Sequence, residues 1–421
     1  MKLSHLAGSL VGSEIVKLGN AINDRIRQGE KIYNFTIGDF DPSIFPIPLE
    51  LENLIIDAYK KHYTNYPAAD GIVELRQAVS GFLKEWEGLE YAPNEIQIAA
   101  GGRPLIYTIF KTIVDKGDKV IYAVPSWNNN HYVHMSEAVH CMIEATPENN
   151  FMPTAADIAP HIAGASLLAL CTPQNPTGTT FFKPELEKIC DLVLEENKQR
   201  GPEAKKLYVM FDQMYWTLTY GKIEHYNPVS LRPEMREYTI FVDGISKVFC
   251  ATGVRVGWSF GPAEIMAKMK AILSHLGAWA PMAEQKATAA YLQMNGSIKI
   301  FLEKFKAEIE ERLVRIHDGF IKLKSAGYHV DAVAPQAAIY LTVKVDLAGN
   351  TTASGRVLND QADVTAYLLS EAKLAIVPFY AFGAPKDSPW YRLSVGTCKK
   401  EEIDEMLDRL QGALQQLKSK L

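Results

Sequence analysis

The stretch YTIFVDGISKVFCATGVRVGWSFG, residues 238–261, contains two short apolar runs, with a lysine directly after the first and an arginine at the start of the second. The runs YTIFVDGIS (238–246) and RVGWSFG (255–261) predict two buried strands. Lys247 follows the first run directly, and Arg255 opens the second. A lysine in such surroundings is either buried at a cost in free energy or has a functional role. The rest of the sequence distinguishes these two interpretations.

Similar apolar runs precede this stretch and alternate with amphipathic segments. Four further strands are predicted at IQIAA (96–100), KVIYAV (119–124), SLLALCTP (166–173) and KLYVMFDQ (206–213). The spacing of apolar residues in PELEKICDLVLEENKQ (184–199) predicts a helix between two of them. Continuous apolar strands separated by helices are typical of a mostly parallel sheet covered on both faces. The predicted fold class is therefore α/β.

The pattern changes after this sheet, and 421 residues are too many for one ordinary core. Apolar residues at steps of three and four predict one long helix over 297–324. A smaller pattern follows, with predicted strands at 337–345, 374–379 and 391–396 and helices near 361–372 and from residue 400. A predicted helix at about 13–28 has no place in the central sheet. We predict a large domain over 46–300 and a small domain built from both termini, 1–45 and 301–421.

The composition is that of a folded globular protein, with 47% hydrophobic and 22% charged residues. A net charge of −5 with scattered basic residues argues against a nucleic-acid surface. Five widely spaced cysteines without a CxxC pair are typical of reduced thiols in the cytosol. The N-terminal segment is too interrupted for a signal peptide, and no apolar run approaches the ~18 residues of a membrane helix. We expect a cytoplasmic protein with small-molecule substrates.

Residues able to carry chemistry follow the predicted strands, at the edge where ligands bind in open parallel sheets. In chain order these residues are Gly102, Arg103, Trp127, Asn175, Asp212, Tyr215, Ser246, Lys247 and Arg255. A desolvated lysine can bond covalently to the aldehyde of pyridoxal 5′-phosphate. That cofactor needs a carboxylate at its ring nitrogen, a phenol and an amide at its ring oxygen, an aromatic ring on its face and donors at its phosphate. The set contains each of these groups.

In the order and spacing of its motifs the chain resembles the class I/II pyridoxal-phosphate-dependent aminotransferases of fold type I, the aspartate aminotransferase-like group. The motifs are PSW (125–127), NPTG (175–178), DxxY (212–215), SK (246–247) followed after eight residues by Arg255 in GVRVGW, and RLSVG (392–396). The likeness covers nearly the whole chain. It implies a large domain with a mostly parallel seven-stranded sheet covered by helices, a small α+β domain, and transamination.

The resemblance also implies roles around the cofactor ring. Lys247 would hold the cofactor covalently and move the proton between the substrate Cα and the cofactor. Asp212 would pair with the ring nitrogen. Tyr215 and Asn175 would bind the ring oxygen, and Trp127 would cover the ring face.

Further implied roles concern the phosphate, the substrate and a second subunit. The phosphate would be bound by the loop and strand-end residues Gly102, Ser246 and Arg255. Arg392 would hold the substrate α-carboxylate together with Asn175 and the backbone of Gly38, in FTIGDFDP. Tyr66, in NYPAADG, would reach the cofactor phosphate of the neighbouring subunit. The resemblance therefore implies a homodimer with shared sites.

Two positions depart from the family's pattern. Gly244 stands where relatives commonly have the first serine of SxSK, so one phosphate donor is missing. Arg103, followed by Pro104, stands where relatives carry a small hydroxyl residue or a lysine. We expect Arg103 either to supply charge to the phosphate or to clamp a distal substrate carboxylate. A clamp would favour aspartate or glutamate with 2-oxoglutarate. Without a clamp, apolar or aromatic amino acids would suit the aromatic residues expected at the entry, which are Phe40, Phe45, Trp279, Tyr380 and Phe382.

Other motifs do not support a different chemistry. HxxH spacing in WNNNHYVHM (127–135) has no third ligand at a fixed spacing, so we expect no metal site. GWSFG (257–261) matches the GxSxG of serine hydrolases, but Ser259 lies within a predicted strand rather than on a turn beyond one. A ligand-sensing regulator would need an added DNA-binding domain, for which the chain leaves no room. A β- or γ-elimination lyase on the same site is the alternative, since the reaction depends on which Cα bond stands perpendicular to the ring.

Overall fold

The computed structural model of the chain describes residues 3–10 and 14–418, with side chains from residue 17 onward in the second range. The predicted helix at about 13–28 appears as Glu14–Arg27, and residue 13 lies outside the described residues. No helix within the described ranges is long and apolar enough to cross a membrane.

A seven-stranded sheet forms the centre of the protein, in the order β2-β8-β7-β6-β5-β3-β4. Its strands are β2 (Ile96–Ala99), β3 (Lys119–Val124), β4 (Val139–Glu144), β5 (Ala165–Cys171), β6 (Tyr208–Asp212), β7 (Thr239–Gly244) and β8 (Gly257–Phe260). All neighbouring strands are parallel except β8, which runs antiparallel to both β2 and β7. The sheet prediction is confirmed, and the carboxyl ends of the other six strands meet at one edge.

Helices connect and cover the strands of the central sheet, and others pack on the N- and C-terminal parts of the chain. In chain order they are α1 (His5–Ser9), α2 (Glu14–Arg27), α3 (Leu49–Lys60), α4 (Val73–Glu87), α5 (Gly102–Ile113), α6 (Asn129–Met135), α7 (Ala155–Ile158), α8 (Lys183–Gln199), α9 (Pro228–Leu231), α10 (Ile245–Val248), α11 (Ala263–Leu276), α12 (Met282–Tyr291), α13 (Asn295–Ser325), α14 (Gln361–Glu371) and α15 (Ile403–Gln415). The predicted long helix is α13, which buries the apolar stripe that its spacing indicated.

Smaller sheets join the two ends of the chain. β12 (Val377–Pro378), β13 (Trp390–Ser394), β10 (Tyr340–Val345) and β9 (Val330–Ala332) form an antiparallel sheet. β1 (Tyr33–Asn34) pairs in parallel with β11 (Leu374–Ala375). The predicted single strand 374–379 is thus divided between two sheets. The N-terminal segment contacts the C-terminal part of the chain, although the domain boundaries themselves stay a prediction.

An aromatic cluster ties α13 to the N-terminal segment. The Phe305 ring lies 5.5 Å from the Phe40 ring and 5.6 Å from the Phe45 ring, both edge to face. All three side chains are buried. Because Phe40 follows directly after the Gly38–Asp39 pair that enters the candidate site, this cluster fixes the position of that segment.

Replacement of Phe305 by alanine should destabilise the protein by about 3–5 kcal/mol, since the change removes a buried ring from a packed cluster. Urea unfolding followed by fluorescence would measure the loss. Phe182→Ala is the matched control: its side chain is 53% exposed, so its free energy of unfolding should change by less than about 1 kcal/mol. Equal losses in the two variants would contradict this account of the cluster.

Candidate active site

The strand ends bring most of the predicted site residues to one edge of the sheet. Asp212 is the last residue of β6. Lys247 lies in α10, immediately after β7. Asn175 lies in the loop after β5, and Gly102 begins α5 after β2. Parallel apolar strands end here because the polar residues that follow cannot continue a buried ladder.

Lys247 is held at the centre of this edge by the N-terminal segment. Its Nζ donates to the carbonyl oxygen of Gly38 at 2.7 Å. Its ammonium also lies 5.4 Å from the centre of the Phe40 ring and 5.8 Å from that of Tyr215. Burial lowers the pKa of Lys247 to about 8; the Asp39 carboxylate opposes this shift and Arg392 adds to it. The amine is therefore poised to lose its proton just above neutral pH.

Arg392 presents a buried guanidinium that lacks a carboxylate partner among the described residues. Its side chain comes from β13 and is 1% exposed. Nη1 donates to Oδ1 of Asn175 at 3.1 Å, and Nη2 donates to the carbonyl oxygen of Thr36 at 2.6 Å. Nε is buried and has no partner within the described residues. Burial lowers the pKa of this arginine, which reflects the cost of leaving its charge uncompensated.

Tyr340 contacts both Tyr215 and Arg392, and it was not among the site residues predicted from the sequence. Its hydroxyl forms a 2.6 Å hydrogen bond with the hydroxyl of Tyr215, and burial raises the pKa of both phenols. The Arg392 guanidinium lies 4.8 Å from the centre of its ring. A Cβ on Gly38 would come within 2.9 Å of its hydroxyl, so a side chain at residue 38 would displace it. Tyr340 stands within a predicted apolar strand, and only the fold brings its hydroxyl here.

Asp212 is a half-buried carboxyl at the end of β6. Burial raises its pKa to about 6, and the Met214 amide, which donates to Oδ1 at 3.1 Å, opposes this shift. No ion pair holds it within the part of the chain that the structure describes. A carboxyl of this kind, without an ion-pair partner in the described residues, is suited to bind a protonated nitrogen of a ligand.

Arg255 and three glycines form a compact corner at the ends of β2, β7 and β8. Arg255 has a left-handed backbone (φ 62°) and donates to the carbonyl oxygens of Thr252 at 2.7 Å and Ala100 at 2.8 Å. A Cβ on Gly101 would lie 2.3 Å from its Nη2. A Cβ on Gly244 would lie 2.7 Å from the Cα of Gly257. A side chain at residue 244, such as the first serine of the SxSK pattern, therefore has no space here.

Trp127 and Arg103 lie together at the mouth of the site. Trp127 is half-buried, 6.3 Å from the Phe382 ring. The exposed Arg103 places its guanidinium 5.4 Å from the centre of the Trp127 ring. Arg103 also contributes to the lowered pKa of Lys247, after burial and the nearer charges. The positive charge of Arg103 thus acts on Lys247 from the entrance of the site.

Two other predicted site residues, and the serine of the rejected hydrolase motif, lie in different surroundings. Ser246 is buried in α10 next to the lysine. Tyr66 is not brought into this site: its side chain is 83% exposed, with its ring 5.4 Å from that of Trp279. Ser259 is buried within β8 and donates to the carbonyl oxygen of Phe241 at 2.6 Å, so it does not stand on the exposed turn of a hydrolase.

The chemistry of these groups fits a pyridoxal 5′-phosphate. An amine with a pKa of about 8, a buried carboxyl without a cation and a half-buried indole match the aldehyde, the ring nitrogen and the ring face. At the other end lie the amino terminus of α5 and an arginine that forms no ion pair among the described residues, a combination that favours a phosphate. The bare backbone at Gly101 and Gly102 leaves room for its close approach.

Comparison with known proteins gives one consistent family. Residues 30–410 match the family described as aminotransferase class I and II. The chain is 31% identical to an aspartate aminotransferase of Bacillus sp. (strain YM-2) over 387 residues, 91% of this chain and 92% of the relative. The crystal structure of the aspartate aminotransferase from Rhizobium meliloti superimposes with a TM-score of 0.89 at 26% identity, covering 99% and 100% of the two chains. Aspartate aminotransferase from Thermus thermophilus with maleate gives a TM-score of 0.86 at 27% identity, with 98% and 100% covered.

The packing of the glycine corner predicts that Gly244→Ala destabilises the protein by about 1–3 kcal/mol, because the added Cβ must push apart two strand backbones. Gly253→Ala is the control, since a Cβ there meets nothing within 4 Å. Thermal unfolding of both purified variants would measure the difference. A Gly244→Ala variant as stable as Gly253→Ala would contradict the close approach of β7 and β8.

Proposed function

The chain belongs to the class I and II aminotransferases, and from that premise we propose that it moves the amino group of an L-amino acid, with acidic ones favoured, to a 2-oxo acid such as 2-oxoglutarate. Pyridoxal-phosphate-dependent transamination is the activity of this family and of the aspartate aminotransferases to which the chain is similar. The lyase alternative is not favoured, because these relatives are aminotransferases.

The unpaired charge of Arg392 carries the proposal. A buried guanidinium without an anion is unfavourable, and a planar carboxylate that accepts two of its hydrogen bonds would relieve this cost. Nε has no partner among the described residues, and the amide of Asn175 beside Nη1 can turn toward a ligand. Both substrates of a transaminase carry an α-carboxylate, so this one site can hold the amino acid and the oxo acid in turn.

Lys247 is the proposed proton carrier at the substrate Cα. When bound, the cofactor supplies an electron sink for the charge that develops there. The lysine accepts the Cα proton as a neutral amine, a form that its lowered pKa of about 8 makes accessible near neutral pH. The Gly38 carbonyl oxygen, 2.7 Å from Nζ, keeps the amine directed toward the centre of the site. Arg392 would orient the substrate, and the Asp212 carboxylate would hold a proton on the ring nitrogen of a bound cofactor.

Arg103 supports the preference for acidic substrates. Its exposed guanidinium above Trp127 is free to meet a second carboxylate at the entrance. The Thermus thermophilus aspartate aminotransferase was solved with maleate, a dicarboxylate.

We further propose a cytoplasmic homodimer, with the 83% exposed Tyr66 reaching the cofactor phosphate of the second subunit. An exposed tyrosine of this size is typical of an interface.

Borohydride reduction of the holoenzyme, followed by peptide mass spectrometry, should find the cofactor on Lys247. Lys247→Ala should lower transamination by about 10²–10⁴-fold or more, because the variant lacks the proton carrier. Lys306→Ala is the control: burial also lowers the pKa of Lys306, but this lysine lies on α13 away from the strand ends. An adduct on another lysine would reject the proposed role.

Arg103→Ala tests the substrate class. If this arginine clamps a distal carboxylate, kcat/KM for aspartate and glutamate should fall by about 10–100-fold while that for aromatic amino acids is retained. Arg103→Lys should restore part of the loss, since it keeps the charge. A fall in cofactor affinity alone would instead assign the arginine to the phosphate, and unchanged selectivity with unchanged affinity would exclude both roles.

A further inference from the structure

The segment after β1, residues 35–41, passes from the smaller sheets to the edge of the central sheet. Its backbone is attached to the C-terminal part of the chain, since the Asp41 N–H donates to the carbonyl oxygen of Gly396 at 3.0 Å. A Cβ on Gly396 would lie 2.1 Å from the Asp39 carbonyl oxygen, so the two backbones are in direct contact. On this side the segment is therefore held by its own backbone.

Two hydrogen bonds join the segment to the loop between β7 and β8 within the described residues. The first is the bond from Lys247 Nζ to the Gly38 carbonyl oxygen, at 2.7 Å. In the second, Thr252 Oγ1 donates to Oδ1 of Asp39 at 2.6 Å. The Phe40 N–H donates to the same carboxylate oxygen at 2.8 Å and so helps to keep that side chain in place. Two adjacent residues of the segment are thus each bonded to a side chain of the loop.

These two bonds differ in their relation to the reaction. Lys247 is the proposed proton carrier, so its amine has to turn to the substrate Cα and cannot hold Gly38 throughout the reaction. The bond from Thr252 to Asp39 contains no group that is proposed to react. An O–H donor on a carboxylate also forms one of the stronger kinds of hydrogen bond. The second bond can therefore hold the segment while the first is broken.

The backbone of Thr252 faces the phosphate end of the site. Its carbonyl oxygen accepts from Nη1 of Arg255, the proposed phosphate ligand, at 2.7 Å. At the other end of the segment, the Thr36 carbonyl oxygen accepts from Nη2 of Arg392 at 2.6 Å. The bond between Thr252 and Asp39 thus completes a connection from the phosphate arginine to the arginine proposed for the substrate carboxylate.

We propose that Thr252 is a positioning residue of the transamination site, because its hydroxyl forms a latch with Asp39. This Thr252–Asp39 latch keeps the 35–41 segment against Arg392 while Lys247 reacts. It serves both substrates alike, since the α-carboxylate that Arg392 is proposed to hold is common to them. The inference rests on the proposed function, whereas the exchange measurement below does not depend on turnover.

Thr252→Val removes the hydroxyl and keeps the shape of the side chain. KM for aspartate and for 2-oxoglutarate should both rise about five- to tenfold, with kcat within about threefold of the wild type, because substrate positioning is lost and no reacting group is. Thr252→Ser keeps the hydroxyl and should return both KM values to within about twofold of the wild type. Unchanged KM values in the valine variant, or a serine variant no better than it, would overturn the proposal.

Thr112→Val is the matched control for this loss of a hydroxyl. Thr112 is also half-buried, but its hydroxyl donates within its own helix, α5, at 2.8 Å. Both KM values of this variant should match those of the wild type. A rise equal to that of Thr252→Val would show that the effect is general and would contradict the latch.

A double-mutant cycle tests whether Thr252 acts through Asp39. Asp39→Ala removes the acceptor of the latch, so the addition of Thr252→Val to that variant should change KM by less than about twofold. The same fold-increase in both backgrounds would show that the hydroxyl acts on another group, and the proposal would be wrong.

Hydrogen exchange of the full-length holoenzyme supplies a readout that needs no turnover. In Thr252→Val, amides of the 35–41 peptide should exchange about threefold faster or more, while those of the α5 peptide keep the wild-type rate. Unchanged exchange at 35–41 would exclude the latch. If Thr252→Val does not fold, Asp39→Ala removes the same bond from its acceptor side and takes its place here. If the wild type does not turn over the substrate pair, the proposed function fails and this measurement alone decides on the latch.

Discussion

The buried charge of Arg392 is the constraint on which the rest of the site depends. Among the residues that the structure describes, its guanidinium meets only the neutral oxygens of Asn175 and Thr36 and the faces of Tyr340 and Phe382. A buried positive charge gains little stabilisation from neutral oxygens, so this guanidinium stays in place only because the surrounding fold holds it. The groups that hold it come from both ends of the chain and from the central sheet. The substrate carboxylate that we propose for this site would therefore meet a guanidinium that the fold already holds in position.

The same geometry explains why the small sheets pair as they do. β1 lies beside β11, and the segment after β1 carries the Thr36 and Gly38 carbonyl groups to Arg392 and Lys247. The aromatic cluster around Phe305 then fixes this segment against the long helix. A change in packing at that cluster would therefore move the acceptor of the lysine without altering any residue that touches a ligand.

Much of the central sheet could be predicted because its strands are continuously apolar. The site residues could then be placed as well, since ligands bind at the carboxyl ends of the strands in an open parallel sheet. β4 was missed because it is an edge strand whose residues are mostly exposed. The run 374–379 was read as one strand because its division depends on partners far along the chain, β1 and β13. Arg255 was placed in a strand, but its left-handed backbone turns it toward Ala100. Tyr340 carried no local signal, since its function depends on a hydroxyl at the end of a core side chain.

Burial shifts the pKa values of Lys247 and Asp212 in opposite directions, and these shifts set the charges of the two groups near neutral pH. Burial lowers the pKa of Lys247 to about 8 and raises that of Asp212 to about 6. Between these values Asp212 is an anion while the lysine still carries a proton that it can lose.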